Sequence, residues 1–182
     1  MRLFTALQIS AGARATLLEL LDQLAPAATF HWSPPENLHI TIKFIGECPS
    51  EKYESLRQVL AGIAGVGPID IAVRGLGWYP NPHSPRVLFA GVQAGPALQE
   101  LHQRTDAACA AIGIPAESKK FNPHLTLARI KSPNGLQAVR RRIAQLPSTD
   151  FGAFKAEAFQ LYESFPGHGA SQYSKLEEFP LL

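Results

Sequence analysis

Asn37-Leu-His-Ile-Thr-Ile-Lys-Phe-Ile-Gly-Glu47 is the stretch on which the reading of this chain turns. Side chains alternate faces along a strand, so Leu38, Ile40, Ile42 and Phe44 form one apolar face, while His39, Thr41 and Lys43 share the other. The apolar face belongs against helices; the polar face is available for chemistry.

A second stretch repeats the pattern. In Phe121-Asn-Pro-His-Leu-Thr-Leu-Ala-Arg129, Leu125 and Leu127 point one way and His124 and Thr126 the other, with Pro123 at the strand start, where its missing donor is tolerated. The two His-x-Thr units lie 124 − 39 = 85 residues apart. Around them the spacing persists: Arg2-Leu-Phe-Thr-Ala-Leu-Gln aligns loosely with Arg86-Val-Leu-Phe-Ala-Gly-Val-Gln at 84, and Pro49 with Pro133 at 84. Self-similarity at a fixed spacing points to a duplication. The expected architecture is α+β, a bilobal pseudo-twofold duplication in a single domain spanning 1–182. Antiparallel sheets line a central cleft with two helices packed outside each. The repeats run over approximately 1–80 and 85–165, and a C-terminal strand covers 171–182.

Apolar spacings of three and four mark four helices: Leu17, Leu21 and Leu24; Tyr53, Leu56, Leu60 and Ile63 after a cap at Ser50; Leu98, Leu101 and Ala108; and Leu136, Val139, Ile143 and Leu146, opened by Ser132 and Pro133. Strands are expected over 2–9, 38–45, 69–73, 86–92, 124–130, 154–162 and 173–182. Connectors rich in Pro and Gly sit at 33–36, 79–85 and 165–169, the middle one serving as the seam between repeats.

Composition narrows the function classes. The net charge of +2 advertises no duplex-binding surface, so any nucleic-acid contact is local. Cys48 and Cys109 form no CxxC pair and read as ordinary core or surface residues. The N-terminus has no secretory pattern, and no stretch reaches the roughly 20 apolar residues of a membrane span. The expectation is a cytoplasmic monomer with no membrane partner.

Two imidazoles and two hydroxyls around one cavity suit in-line displacement at phosphorus. A neutral imidazole accepts the proton of attacking water, an imidazolium gives a proton to the leaving oxygen, and the hydroxyls hold nonbridging oxygens. Histidine serves because both protonation states are accessible near neutral pH. A metal site needs further ligands, yet no His-x-His, His-x-x-x-His or acidic cluster accompanies either strand, and neither metal nor cofactor is expected. Gly-x-Ser-x-Gly, P-loop and Gly-x-Gly-x-x-Gly patterns are absent. The bland alternative makes His39 and His124 polar cross-strand residues and the threonines simple strand formers.

The paired motifs resemble those of the two-histidine phosphoesterase superfamily, and most closely the RNA 2',3'-cyclic phosphodiesterases, also called 2'-5' RNA ligases. That resemblance, over nearly the whole chain, implies hydrolysis of a terminal 2',3'-cyclic phosphate to a 2'-phosphomonoester. It implies His39 as proton donor, His124 as proton acceptor, Thr41 and Thr126 on the phosphate, and RNA ends or small cyclic nucleotides as substrates. Ligation would put an RNA 5'-hydroxyl in place of water. Arg129 stands where the family often carries a basic residue, but alternation places it opposite His124 unless the strand bulges. Lys43 either contacts phosphate or protects a sheet edge. Phe30, Trp32, Trp78 and Tyr173 are candidates for base stacking, Tyr173 foremost because it matches a family aromatic. His31, His83, His102 and His168 read as surface or loop residues. The rival readings are a superfamily phosphodiesterase on another nucleotide, or a nucleotide- or RNA-binding module without turnover.

Overall fold

A computed structural model describes residues 1–182. The strands are β1 (Arg2–Gln8), β2 (His31–Trp32), β3 (His39–Glu47), β4 (Ile69–Tyr79), β5 (Val87–Ala94), β6 (His124–Arg129), β7 (Asp150–Ala156), β8 (Ala158–Phe165) and β9 (Gln172–Pro180). The helices are α1 (Ala11–Leu24), α2 (Ser50–Ala61), α3 (Pro96–Ala111) and α4 (Leu136–Ala144). The α+β class with antiparallel sheets and four helices is as expected.

The single strand expected over 154–162 is two, β7 and β8, parted at Glu157. α4 is opened by Gly135, not by Ser132 and Pro133, because the chain enters that helix through a left-handed residue (φ 86°). A Cβ on Gly135 would also stand 2.6 Å from the Ala27 carbonyl oxygen. α1 is capped by Ser10, whose hydroxyl accepts the Ala13 N–H at 3.1 Å. Its inner stripe of Leu17, Leu20, Leu21 and Leu24 is buried, each side chain contributing about 1.5–3 kcal/mol.

One sheet has the order β3-β1-β8-β9 and the other β2-β6-β5-β4-β7. The sheets therefore do not divide the chain at its 79–85 seam. β1 and β3 come from the first half, but the strand beside them is β8; β5 and β6 come from the second half, but the strand beside them is β4. The helices cross over in the same way: α1 and α4 pack together on the β7 side, and α2 and α3 pack on β9 and β3. Each sheet is built from both halves of the chain.

The two motif strands share an irregularity. On β3, Thr5 of β1 faces Lys43 and Ala6 faces Thr41, so Ile42 is an extra residue. On β6, Leu88 of β5 faces Ala128 and Phe89 faces Thr126, so Leu127 is the extra one. Each bulge lies three residues beyond its histidine and reverses the parity of the residues after it. Lys43 is thereby turned into the core with 1% exposure, and Phe44 is turned out with 64%. On β6 the bulge buries Ala128 and returns Arg129 to the outer side with His124 and Thr126.

Candidate active site

Both histidines are held by the same local device. His39 Nδ1 donates to the carbonyl of Asn37 at 2.6 Å, and His124 Nδ1 donates to the carbonyl of Asn122 at 2.9 Å. A carbonyl only accepts, so each neutral imidazole carries its hydrogen on Nδ1 and leaves Nε2 without one. Thr41 Oγ1 lies 2.9 Å from His39 Nε2, so the first motif places its hydroxyl beside that nitrogen.

The surroundings differ. His39 is half-buried against Phe4 at 5.0 Å and edge-on to Tyr173 at 5.3 Å. His124 is exposed, with Phe89 edge-on at 5.5 Å. Burial is the main influence holding the His39 imidazole below its ordinary pKa. The hydrogen bond to Asn37 opposes that shift, and nearby His124, when it carries a proton, and Arg129 reinforce it. β3 and β6 pack against each other although they belong to different sheets, which brings the two motifs near one another.

Of the other expected site residues, Arg129 meets its condition, since the bulge supplies the parity it needed. Tyr173 on β9 stands edge-on to both Phe4 (4.9 Å) and His39, and Phe4 is stacked on Tyr162 at 5.3 Å. The assignment of Lys43 to substrate is overturned: its ammonium is buried, donating to Asp106 Oδ1 at 2.6 Å and to the Pro115 carbonyl at 3.1 Å. Burial pushes the Asp106 carboxyl upward, but the Lys43 ammonium and the Glu117 N–H outweigh it and hold the group below its usual range. Phe30 is buried beside Trp32, whose indole N–H binds the Ala28 carbonyl. Trp78 lies under the Arg140 guanidinium at 5.4 Å. These three rings are engaged elsewhere. His102, expected at the surface, is buried in α3 at 6% exposure.

Two structural features had no counterpart among the sequence expectations. The Asn37 and Asn122 carbonyls sit two residues before each histidine, a repetition visible in the motifs themselves. Phe44 had no such signal, because its outward turn depends on the bulge. No group of three or more His, Cys, Asp or Glu side chains is arranged so that it could hold a metal ion.

The model of the LigT-like phosphoesterase family matches residues 7–89 and 91–170. An RNA 2',3'-cyclic phosphodiesterase of Thermus thermophilus is 33% identical, over 100% of this chain and 90% of that protein. One of Archaeoglobus fulgidus is 31% identical, over 98% of this chain and 99% of its own. The crystal structure of TT0787 of Thermus thermophilus superposes with a TM-score of 0.83 at 31% identity, covering 100% of this chain and 98% of that one. E. coli LigT complexed with 3'-AMP, at 23% identity and a TM-score of 0.80 over 99% of this chain and 97% of its own, shares the fold. With its motifs, its sheets and these matches in agreement, the chain belongs to the LigT-like phosphoesterase family.

Proposed function

We propose that this protein opens the 2',3'-cyclic phosphate of RNA ends or nucleosides and leaves a 2'-phosphomonoester. The observation that carries this is the matched pair of imidazoles, each with Nδ1 tied to the carbonyl two residues before it, so that Nε2, which on His39 meets the Thr41 hydroxyl, is the nitrogen for proton transfer. A binding module has no use for two such groups. The relatives' names, RNA 2',3'-cyclic phosphodiesterase, point the same way.

In this reading neutral His124 takes a proton from water through Nε2 as the water oxygen bonds to phosphorus. The P–O3' bond breaks in line, and the His39 imidazolium gives its Nε2 proton to the departing 3' oxygen. Thr41 and Thr126 donate to nonbridging oxygens, and Arg129 offsets the growing negative charge. The free protein disfavours a charged His39; the phosphate anion counters the positive neighbours, so substrate arrival itself favours the proton that His39 must deliver. The exposed Phe44 ring and the edge of Tyr173 supply apolar surface for the unpaired terminal base. An RNA 5'-hydroxyl in place of water would make a 2'-5' linkage by the same groups.

Both motifs lie in one chain, which supports action as a monomer. No helix is long and apolar enough to cross a membrane, and the proposed setting is the cytoplasm. The test is incubation with a nucleoside 2',3'-cyclic phosphate and separation of the 2'- and 3'-monophosphates. The 2' isomer is expected; the 3' isomer, or an unchanged substrate, refutes the proposal.

A further inference from the structure

The β3 bulge is secured by residues from the other half of the chain. His102 Nδ1, on α3, donates to the carbonyl of Ile42 at 2.8 Å, and Glu117 Oε1 accepts the N–H of Phe44 at 3.2 Å. Those are backbone groups at the bulge, where the regular ladder with β1 is interrupted. Between them the Lys43 ammonium reaches back to Asp106 and to the Pro115 carbonyl, and Asp106 Oδ1 also accepts the Glu117 N–H at 3.0 Å. His102 in turn is stacked on Phe121, 4.2 Å between centroids and 6° between planes. Phe121 is followed by Asn122, whose carbonyl orients His124.

A continuous path thus runs from Thr41 through the bulge, His102 and Phe121 to Asn122 and His124. It matters because β3 and β6 belong to different sheets and share no ladder. Ladder hydrogen bonds place each histidine within its own sheet; only packing between the lobes sets one imidazole against the other.

The second motif shows that the bulge does not need a charge. The residue 85 positions after Lys43 is Ala128, fully buried, and the equivalent bulge carbonyl, that of Leu127, is satisfied by the Ser33 N–H at 2.8 Å. The buried ion pair is therefore particular to one lobe, and it sits where that lobe meets the segment delivering the other histidine.

We infer that Lys43, His102, Asp106 and Glu117 are positioning residues that set the His39 imidazole relative to the His124 imidazole across the cleft. None reaches the reacting atoms; each acts through the Ile42–Phe44 backbone or the 115–123 segment. The inference rests on the two-histidine reaction proposed above. Its consequence is a loss that falls mainly on turnover when the cluster is dismantled, because hydrogen bonds from Thr41, Thr126 and Arg129 to a phosphate tolerate a small displacement better than in-line proton transfer does.

The deciding variant is K43M/D106L, which removes both charges together and leaves no unpaired one in the core, a replacement that folds often tolerate. It is measured beside H102L and H102N. The asparagine amide restores a donor toward the Ile42 carbonyl; leucine does not. On a nucleoside 2',3'-cyclic phosphate, K43M/D106L and H102L are expected to lose about 10- to 100-fold in kcat, with KM little changed, and H102N is expected to recover most of the H102L loss. In the substrate-free protein the imidazole 15N signals of both His39 and His124 should move in K43M/D106L and stay near their parental positions in H102N.

Cooperative unfolding with parental kcat and unmoved imidazole signals in K43M/D106L overturns the inference. So does an H102N no better than H102L, or a K43M/D106L that fails to fold, which would make the cluster purely structural. A parent protein without turnover would instead refute the proposed function, and the imidazole signals would still decide on the cluster.

Discussion

Replacing either histidine by alanine gives the most direct measure of the proposed mechanism, and the two replacements should differ in a way the structure specifies. Positioned proton transfer contributes about 10²–10⁴ in rate, or roughly 2.7–5.5 kcal/mol of barrier. H39A and H124A should each lose that much in kcat, while KM stays nearly constant because Thr41, Thr126 and Arg129 remain. Acid and base act in one displacement, so H39A/H124A should fall within about tenfold of the worse single variant rather than losing the product of the two effects.

Stability separates the variants. His39 has aromatic contacts with Phe4 and Tyr173, each worth about 0.5–1.5 kcal/mol, so H39A should be less stable by about 1–3 kcal/mol. His124 is exposed, and H124A should unfold within about 1 kcal/mol of the parent. The assay is initial-rate release of 2'-monophosphate from a nucleoside 2',3'-cyclic phosphate, paired with denaturant unfolding of the same preparations. Full turnover in either single variant, or multiplicative losses in the double, would refute the reasoning.

The depressed pKa of His39 makes a prediction for pH. In the proposed mechanism His39 donates the proton and must be charged, so the alkaline limb of kcat/KM, which reports the free enzyme, should fall below the ordinary imidazole value of about 6.5 and below the alkaline limb of kcat, where bound phosphate holds the proton; coincident limbs would contradict this. The same shift has a stability consequence. The unfolded state binds the proton more readily, so this contribution is present above about 6.5 and is lost as pH falls through the lower folded value; unfolding curves of H39Q should lack that dependence. F44A removes a ring that is 64% exposed, so its melting should match the parent while KM for a nucleoside 2',3'-cyclic phosphate rises roughly 5- to 150-fold, from about 1–3 kcal/mol of base stacking; an equal rise for the baseless ribose cyclic phosphate would assign Phe44 another role. T5V replaces a fully buried hydroxyl that has no partner, and should gain about 1–2 kcal/mol, or about 2–8 °C in Tm; a lowered Tm would show that the Thr5 hydroxyl is satisfied in solution.

Much of this protein is written locally. Period-two alternation around His39 and His124 sufficed to place both motifs on strands, to put Thr41 and Thr126 beside them, and to separate the four helices by their three- and four-residue spacing. Those features depend on each residue's immediate neighbours in the chain, which is why they survive into the structure with their boundaries nearly intact. Even the backbone carbonyls that fix both imidazole tautomers were present in the motifs as Asn37 and Asn122.

What tertiary structure alone decided begins one residue beyond Thr41. A strand alternates by itself, but a bulge exists only between two strands, and nothing within 37–47 announces that β1 will face Thr41 and Lys43 with consecutive residues. That single slip sent Lys43 inward to Asp106, turned Phe44 outward, and, repeated on β6, brought Arg129 back to the histidine side. The exchange of β4 and β8 between sheets is equally nonlocal, since both strands have the pattern that either sheet would accept. His102 was unreadable for the same reason: its role comes from the Ile42 carbonyl 60 positions away, a group released by the bulge it helps to hold.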